Sequence, residues 1–249
     1  MERGIVVRHL RQSQGLTLGL TVVAVLGGCT ADSGDEGILI LKNVRADDTC
    51  KVSSSETELF TSGGTLETAT GSEYIFIAQA KSRITALAGQ EDQRLIQMQE
   101  AKVDLSFPDT TRFTAAELAD LRTRGITHFK QLLAAPLAPN GGLTDVGFVL
   151  LPPGVVAELA PKANAATLQI VATFTIDGDM SGATVGSQPF TYPITLGKGV
   201  VAHVLGKCSL PAGTTVRTGY ACNPYQDGAV DCCSDASGMA VCPGTVATM

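Results

Sequence analysis

Two alternating segments near the middle of the chain constrain its fold most. Leu168, Ile170, Ala172, Phe174 and Ile176 alternate with Thr167, Gln169, Thr173 and Thr175. Phe190, Tyr192, Ile194 and Leu196 then alternate with Pro189, Thr191, Pro193 and Thr195. Successive strand side chains point to opposite faces, so each segment presents one apolar and one polar face. The Gly-rich link Asp177 to Ser187 makes the pair a long hairpin with one buried face. Such a hairpin needs a second layer to cover it. Pro193 has no amide to donate, which predicts that the second strand is an edge or is unpaired at that residue.

Other segments supply the cover. Gly37 to Val44 is a nearly continuous apolar run and reads as a first strand. Leu59 to Leu66 reads as two short strands broken at Gly63-Gly64, and Tyr74 to Lys81 as another strand. Ala101, Val103, Leu105 and Phe107 alternate with polar residues, whereas Ile96 and Met98 lie in the opposite phase. A β-bulge at Gln99-Glu100 reconciles the two. Thr114-Ala-Ala-Glu117 has capping-box spacing and predicts a helix over Ala115 to Arg122. Strands follow at Ile126 to Ala135 and from Val146 to Leu150. Gly154 to Ala160 reads as one or two helical turns, and Pro161 to Asn164 as a loop. Short strands at this spacing, without βαβ alternation, predict a mainly β sandwich.

The texture changes after Val200 to Leu205. Of seven cysteines, Cys208, Cys222, Cys232, Cys233 and Cys242 lie near the C-terminus, Cys50 lies far upstream and Cys29 near the start. Setting Cys29 aside, an even six in an exported chain reads as a disulfide framework. Adjacent Cys232 and Cys233 are expected to pair outward, and Cys50, with no local partner, must reach the tail. Zinc knuckles need Cys-x2-4-Cys pairs, and the spacings here do not supply them. The expected organisation is a leader over 1–28, a tether over 29–37, the sandwich over 38–207 and a Cys-rich region over 208–249.

The leader is read from its layout. Arg3, Arg8 and Arg11 precede an apolar run from Leu16 to Leu26, about ten residues long, where a bilayer span needs roughly 20. Leu26-Gly27-Gly28-Cys29 resembles the lipobox of bacterial lipoprotein precursors. The resemblance implies cleavage before Cys29 and a diacylglyceryl group on its sulfur. The membrane is then a partner through that lipid. Thr30, rather than Asp, follows the Cys; by analogy with Gram-negative sorting this favours the outer membrane. Loss of three Arg and one Glu with the leader takes the net charge from −6 to −8. Nucleic acid is an unsuitable partner for so acidic a chain, because phosphate binding needs clustered Lys and Arg.

Phe190-Thr-Tyr-Pro-Ile-Thr195 and Cys222-Asn-Pro-Tyr-Gln-Asp-Gly-Ala-Val-Asp-Cys-Cys233 together resemble uncharacterised bacterial envelope lipoproteins. The resemblance implies an immunoglobulin-like β-sandwich with a small disulfide-rich C-terminal region. Members carry further Cys after the Pro-Ile strand, where this chain has Gly197 and Gly199. No activity comes with the resemblance.

Motifs for chemistry are sparse. Asp177-Gly-Asp-Met-Ser-Gly182 matches the first half of a calcium loop through Asp177, Asp179 and Ser181, but position twelve would be Gln188 instead of a bidentate Glu. Asn223, Asp227 and Asp231 near Gly228 form a second weak calcium candidate. His128 and His203 sit in apolar stretches and read as partly buried strand residues. Gly197-Lys198-Gly199 lacks the remainder of a phosphate loop, and no nucleophile elbow or zinc-protease pair occurs. The expectation is a non-enzymatic envelope lipoprotein without a cofactor, acting on an envelope protein or extracellular ligand. The alternative is a calcium-dependent adhesin or a ligand-binding subunit of a surface complex.

Overall fold

The structure is a computed structural model that describes residues 36–47, 49–52, 55, 57, 59–85, 94–209 and 213–243. The leader and Cys29 lie outside them. No helix among the described residues is long and apolar enough to cross a membrane.

The first element among the described residues is β1 (Glu36–Val44), which takes in Glu36 and Gly37, the last two residues of the expected tether. Short β2 (Phe60–Thr61) and β3 (Gly64–Glu67) follow, split where expected at the Gly pair. Gly64 is required by close approach: a Cβ there would lie 2.5 Å from the Tyr74 ring. Next come β4 (Tyr74–Ser82) and β5 (Ile96–Ser106). The β5 register shifts between Met98 and Glu100 against both neighbours, the bulge that the change of phase requires.

Helix α1 (Ala115–Thr123) begins at the expected capping box. Glu117 N donates to Thr114 Oγ1 at 3.1 Å and Thr114 N donates to Glu117 Oε2 at 2.7 Å. After β6 (His128–Leu137) and β7 (Leu143–Leu151), helix α2 (Pro153–Ala165) runs well past its expected end. Pro161 lies inside it, in the segment expected to be loop. An interior proline removes one helical hydrogen bond. Val155, Leu159 and Ala163, four residues apart on one face, are all buried and hold the helix through that defect.

The central hairpin forms as expected between β8 (Leu168–Met180) and β10 (Phe190–Gly197), with Phe174 opposite Phe190 and Leu168 opposite Leu196. Its link is not a loop. β8 continues to Met180, turns at Ser181-Gly182 with positive φ at both, and pairs with β9 (Ala183–Ser187). β10 is also not an edge: β3 pairs with it in parallel, but only from Ile194 onward. Pro193 thus stands just before that ladder begins.

The main sheet folds over on itself. β7, β4 and β1 form one layer; β3, β10, β8, β5 and β6 form the other, and β9 joins β8 to β1. Phe76 of β4 meets Phe174 and Tyr192 of the opposite layer at ring separations of 5.0 and 4.9 Å, edge-on. Phe148 of β7 meets Phe174 at 5.2 Å. The fold is therefore mainly β, an immunoglobulin-like sandwich with two helices added and some parallel ladders.

The C-terminal region carries its own three-stranded sheet, β11 (Ala202–Lys207), β12 (Val230–Ser234) and β13 (Ala240–Val241). β11 pairs with β12, so this unit starts at Ala202, upstream of Cys208. Its small core gathers Val201, Tyr225, Val230, Cys232 and Cys242.

Candidate functional site

The strongest constellation of chemistry-bearing residues lies where the Cys-rich tail meets the sandwich. Three disulfides frame it: Cys50–Cys222, Cys208–Cys233 and Cys232–Cys242, with Cα separations of 5.0, 4.7 and 4.2 Å. Cys232 and Cys233 pair outward, and Cys50 reaches the tail across 172 residues, as the spacing requires. All six sulfurs are bonded to one another, so none serves as a thiolate ligand. A tight turn presents Cys50. Asp47 Oδ1 accepts from Thr49 N at 2.8 Å and Lys51 N at 2.9 Å, and these bonds hold its carboxyl below the usual range.

From Cys222 the tail turns into the sandwich. Gln226 is buried and its amide acts as a strand segment would: Ile75 N donates to Oε1 at 2.8 Å, and Nε2 donates to Ile75 O at 2.6 Å. Asp227, at φ +56°, completes the join. Its N–H donates to Thr65 O at 3.0 Å, while Thr65 N donates to Asp227 Oδ1 at 2.7 Å. Asn223 Nδ2 donates to Glu73 O at 3.0 Å.

Asp227 then leads into a buried chain of hydroxyls. Tyr74 O–H donates to Asp227 Oδ2 at 2.6 Å, and the Tyr74 and Tyr192 hydroxyls lie 2.9 Å apart. Asn43 Nδ2 donates to Tyr192 Oη and Thr61 Oγ1, both at 2.9 Å, and Asn43 Oδ1 accepts from Ile77 N at 3.0 Å. Burial pushes the Asp227 carboxyl up, against the Tyr74 hydrogen bond, and drives the Tyr74 phenol well above its ordinary value. The cavity beside this network holds about 10 Å3, room for one water at most. The arrangement can store a proton and lock two parts of the fold together.

Two further carboxylates secure the tail. Glu67, 1% exposed, accepts from Gly199 N with both oxygens at 2.9 Å and from Ala202 N at 3.1 Å. The Gly197-Lys198-Gly199 turn thus presents its amides to an anion, but the anion is the chain's own side chain. Asp231, buried, takes Arg217 Nε and Arg217 N at 2.9 Å each; the guanidinium lowers its carboxyl from 3.8 to about 2.

The calcium candidates are engaged elsewhere. Asp177 is a strand residue paired with Lys102, and Asp179 Oδ1 caps the hairpin turn through Gly182 N at 3.1 Å, next to Ser181. Asn223, Asp227 and Asp231 serve three different partners. No group of three or more His, Cys, Asp or Glu able to hold a metal occurs among the described residues. His128 and His203 both lie in strands, but exposed instead of partly buried. His128 on β6 faces Asp104 on β5, with Nδ1 2.7 Å from Oδ1, and His203 lies on exposed β11.

Periodicity placed Tyr74 and Tyr192 in the core, but it did not reveal their hydroxyl network. Asn43 and Glu67, polar residues inside apolar strands, carried the one local signal. No known protein-family model matches this chain, and no curated protein matches it.

Proposed function

We propose that this chain is an exported lipoprotein of the bacterial envelope, held to the membrane by lipid on Cys29, with the outer membrane as its site. Its sandwich and stapled tail act as a non-enzymatic module for binding or for structure. The observation that carries the reading is the cysteine account. Three disulfides use six of the seven cysteines, and the one left over is Cys29, the residue that closes Leu26-Gly27-Gly28. Disulfides mark an oxidising, extracytoplasmic compartment, which a lipobox leader would supply. One acyl chain holds a protein marginally and two or more hold it stably.

The polar junction supports a structural rather than a reactive role for the buried Tyr74–Asp227 pair, since its cavity has no room for a substrate. The carboxylates on which the calcium-dependent alternative rests are each bonded to protein donors, so that alternative has no observation in its favour. Cys29→Ser is the direct test. The variant is expected to lose incorporation of labelled fatty acid and to leave the membrane fraction. Retention of both would refute the anchor.

A further inference from the structure

We infer that the groove between α1 and the end of β5 binds an amphiphilic monocarboxylate, its head on Arg122 and its aliphatic chain along the groove. The inference goes beyond the reading of the chain as an anchored module and does not depend on lipid at Cys29.

The groove follows from the unequal reach of two strands. β5 runs to Ser106, but β6 begins at His128, opposite Asp104. Leu105 N still donates to Thr127 O at 2.8 Å, and past that bond the ladder ends. Helix α1 flanks the gap instead. Its Ala115, Leu118, Ala119 and Arg122 are three or four residues apart and share one face. The space left holds about 390 Å3, within the range of small-molecule sites, roughly 300–1,000 Å3. Its floor is apolar, made by buried Leu105 and Phe107 and half-buried Leu118.

The rim is polar and carries one charge. Arg122 is the sole charged residue among the described residues that line the groove. It is exposed, and its guanidinium bonds neither an acid nor a carbonyl at its own helix end. The acids around α1 are already matched: Asp109 with Arg112, Glu117 with Lys162, Asp120 and Glu158 with Arg124, and Asp104 with His128. Thr110 and Thr127 bring two hydroxyls to the same groove, neither bonded to another described residue. One planar guanidinium forks onto one carboxylate, and the hydroxyls can donate to its remaining lone pairs. A multiply charged head would call for clustered cations, which the groove lacks. A singly charged acid with an apolar body therefore meets both things the groove leaves without a partner, its cation and its floor.

The test uses the mature chain with Cys29→Ser, exported behind a cleavable leader so that its disulfides form. Decanoate is titrated below its micelle concentration and followed by amide shifts. Saturable shifts are expected at Leu118, Ala119, Arg122 and Thr127, while Val204 and Met239, exposed apolar residues of the tail, stay unmoved. Decylammonium, which reverses the head, and acetate, which lacks the chain, should produce no saturable shift there. Arg122→Gln should weaken decanoate about tenfold, the worth of a hydrogen bond to a charged group. Ala119→Phe, at an exposed position, should abolish binding by filling the groove while Arg122 stays. Both variants should keep the dispersed spectrum of the folded chain. Absence of groove shifts, an equal response to decylammonium or acetate, equal shifts at Val204 and Met239, or unchanged affinity in either variant overturns the proposal. Such a failure leaves the anchor reading standing, because labelling of Cys29 tests that separately.

Discussion

Asp227 is the residue on which the join between tail and sandwich turns. It accepts from Thr65 N and from the O–H of buried Tyr74, in a part-buried setting. Tyr74→Phe removes one donor to a buried carboxyl and one neighbour of the Tyr192 hydroxyl. We expect a loss of about 1–3 kcal/mol in urea unfolding. Because burial raises the Asp227 carboxyl above its ordinary value of 3.8, the folded state favours its protonated form. Its contribution is full below pH 3.8 and declines as pH rises through the raised value. Asp227→Asn should therefore gain stability relative to wild type as pH rises above 3.8; a difference independent of pH would contradict this. Asp231 and Glu117 act in the opposite sense. Arg217 holds the first at about 2 and Lys162 the second at about 2, so their contributions are present near neutrality and lost as pH falls from about 4 toward 2. Unfolding measured across that window should show stability falling with acid. Apart from Asn43 and Glu67, polar residues inside apolar strands, the junction was not legible locally. Tyr74 stands 118 residues from Tyr192 and 153 from Asp227, and side-chain spacing along a strand carries no information about partners so distant.

At the level of elements, what the sequence made legible followed from local physics. Period-2 alternation located β8 and β10, a change of phase located the β5 bulge, and a capping box located α1. The misreadings share a cause: a local breaker outweighed by tertiary contact. Pro161 should end a helix, yet Leu159 and Ala163 bury α2 firmly enough to carry it on. Exposed Pro161→Ala restores an amide to the helix interior and should raise stability by about 1–3 kcal/mol; a loss in urea unfolding would show that the helix depends on the ring. The Gly-rich link read as loop because its glycines hide the strand continuation, which is held by pairing of β8 to β9 and β5 rather than by side chains of its own. The tail gave no usable periodicity, because its order comes from covalent links and from carboxylates such as Glu67.

The whole molecule is a sandwich with a covalently fastened end. Cys50–Cys222 closes the longest loop, with a separation of 172, against 25 and 10 for the other two disulfides. By chain entropy it restricts the unfolded state most, by up to about 5 kcal/mol. The Cys50→Ser/Cys222→Ser variant should therefore lose more stability than a double replacement at either other disulfide. Mild reduction should open the tail to protease while amides of the β8–β10 hairpin remain protected from exchange. The central claim is that six cysteines fasten the fold and the seventh fastens it to the membrane. Peptide mapping by mass spectrometry of the unreduced, thiol-alkylated protein taken from its native envelope tests this most directly. The account predicts three linked pairs, Cys50–Cys222, Cys208–Cys233 and Cys232–Cys242, and an N-terminal peptide that begins at Cys29 and carries diacylglycerol. An alkylated Cys29 within a longer unprocessed N-terminus, or two or more alkylated cysteines among the other six, would contradict it.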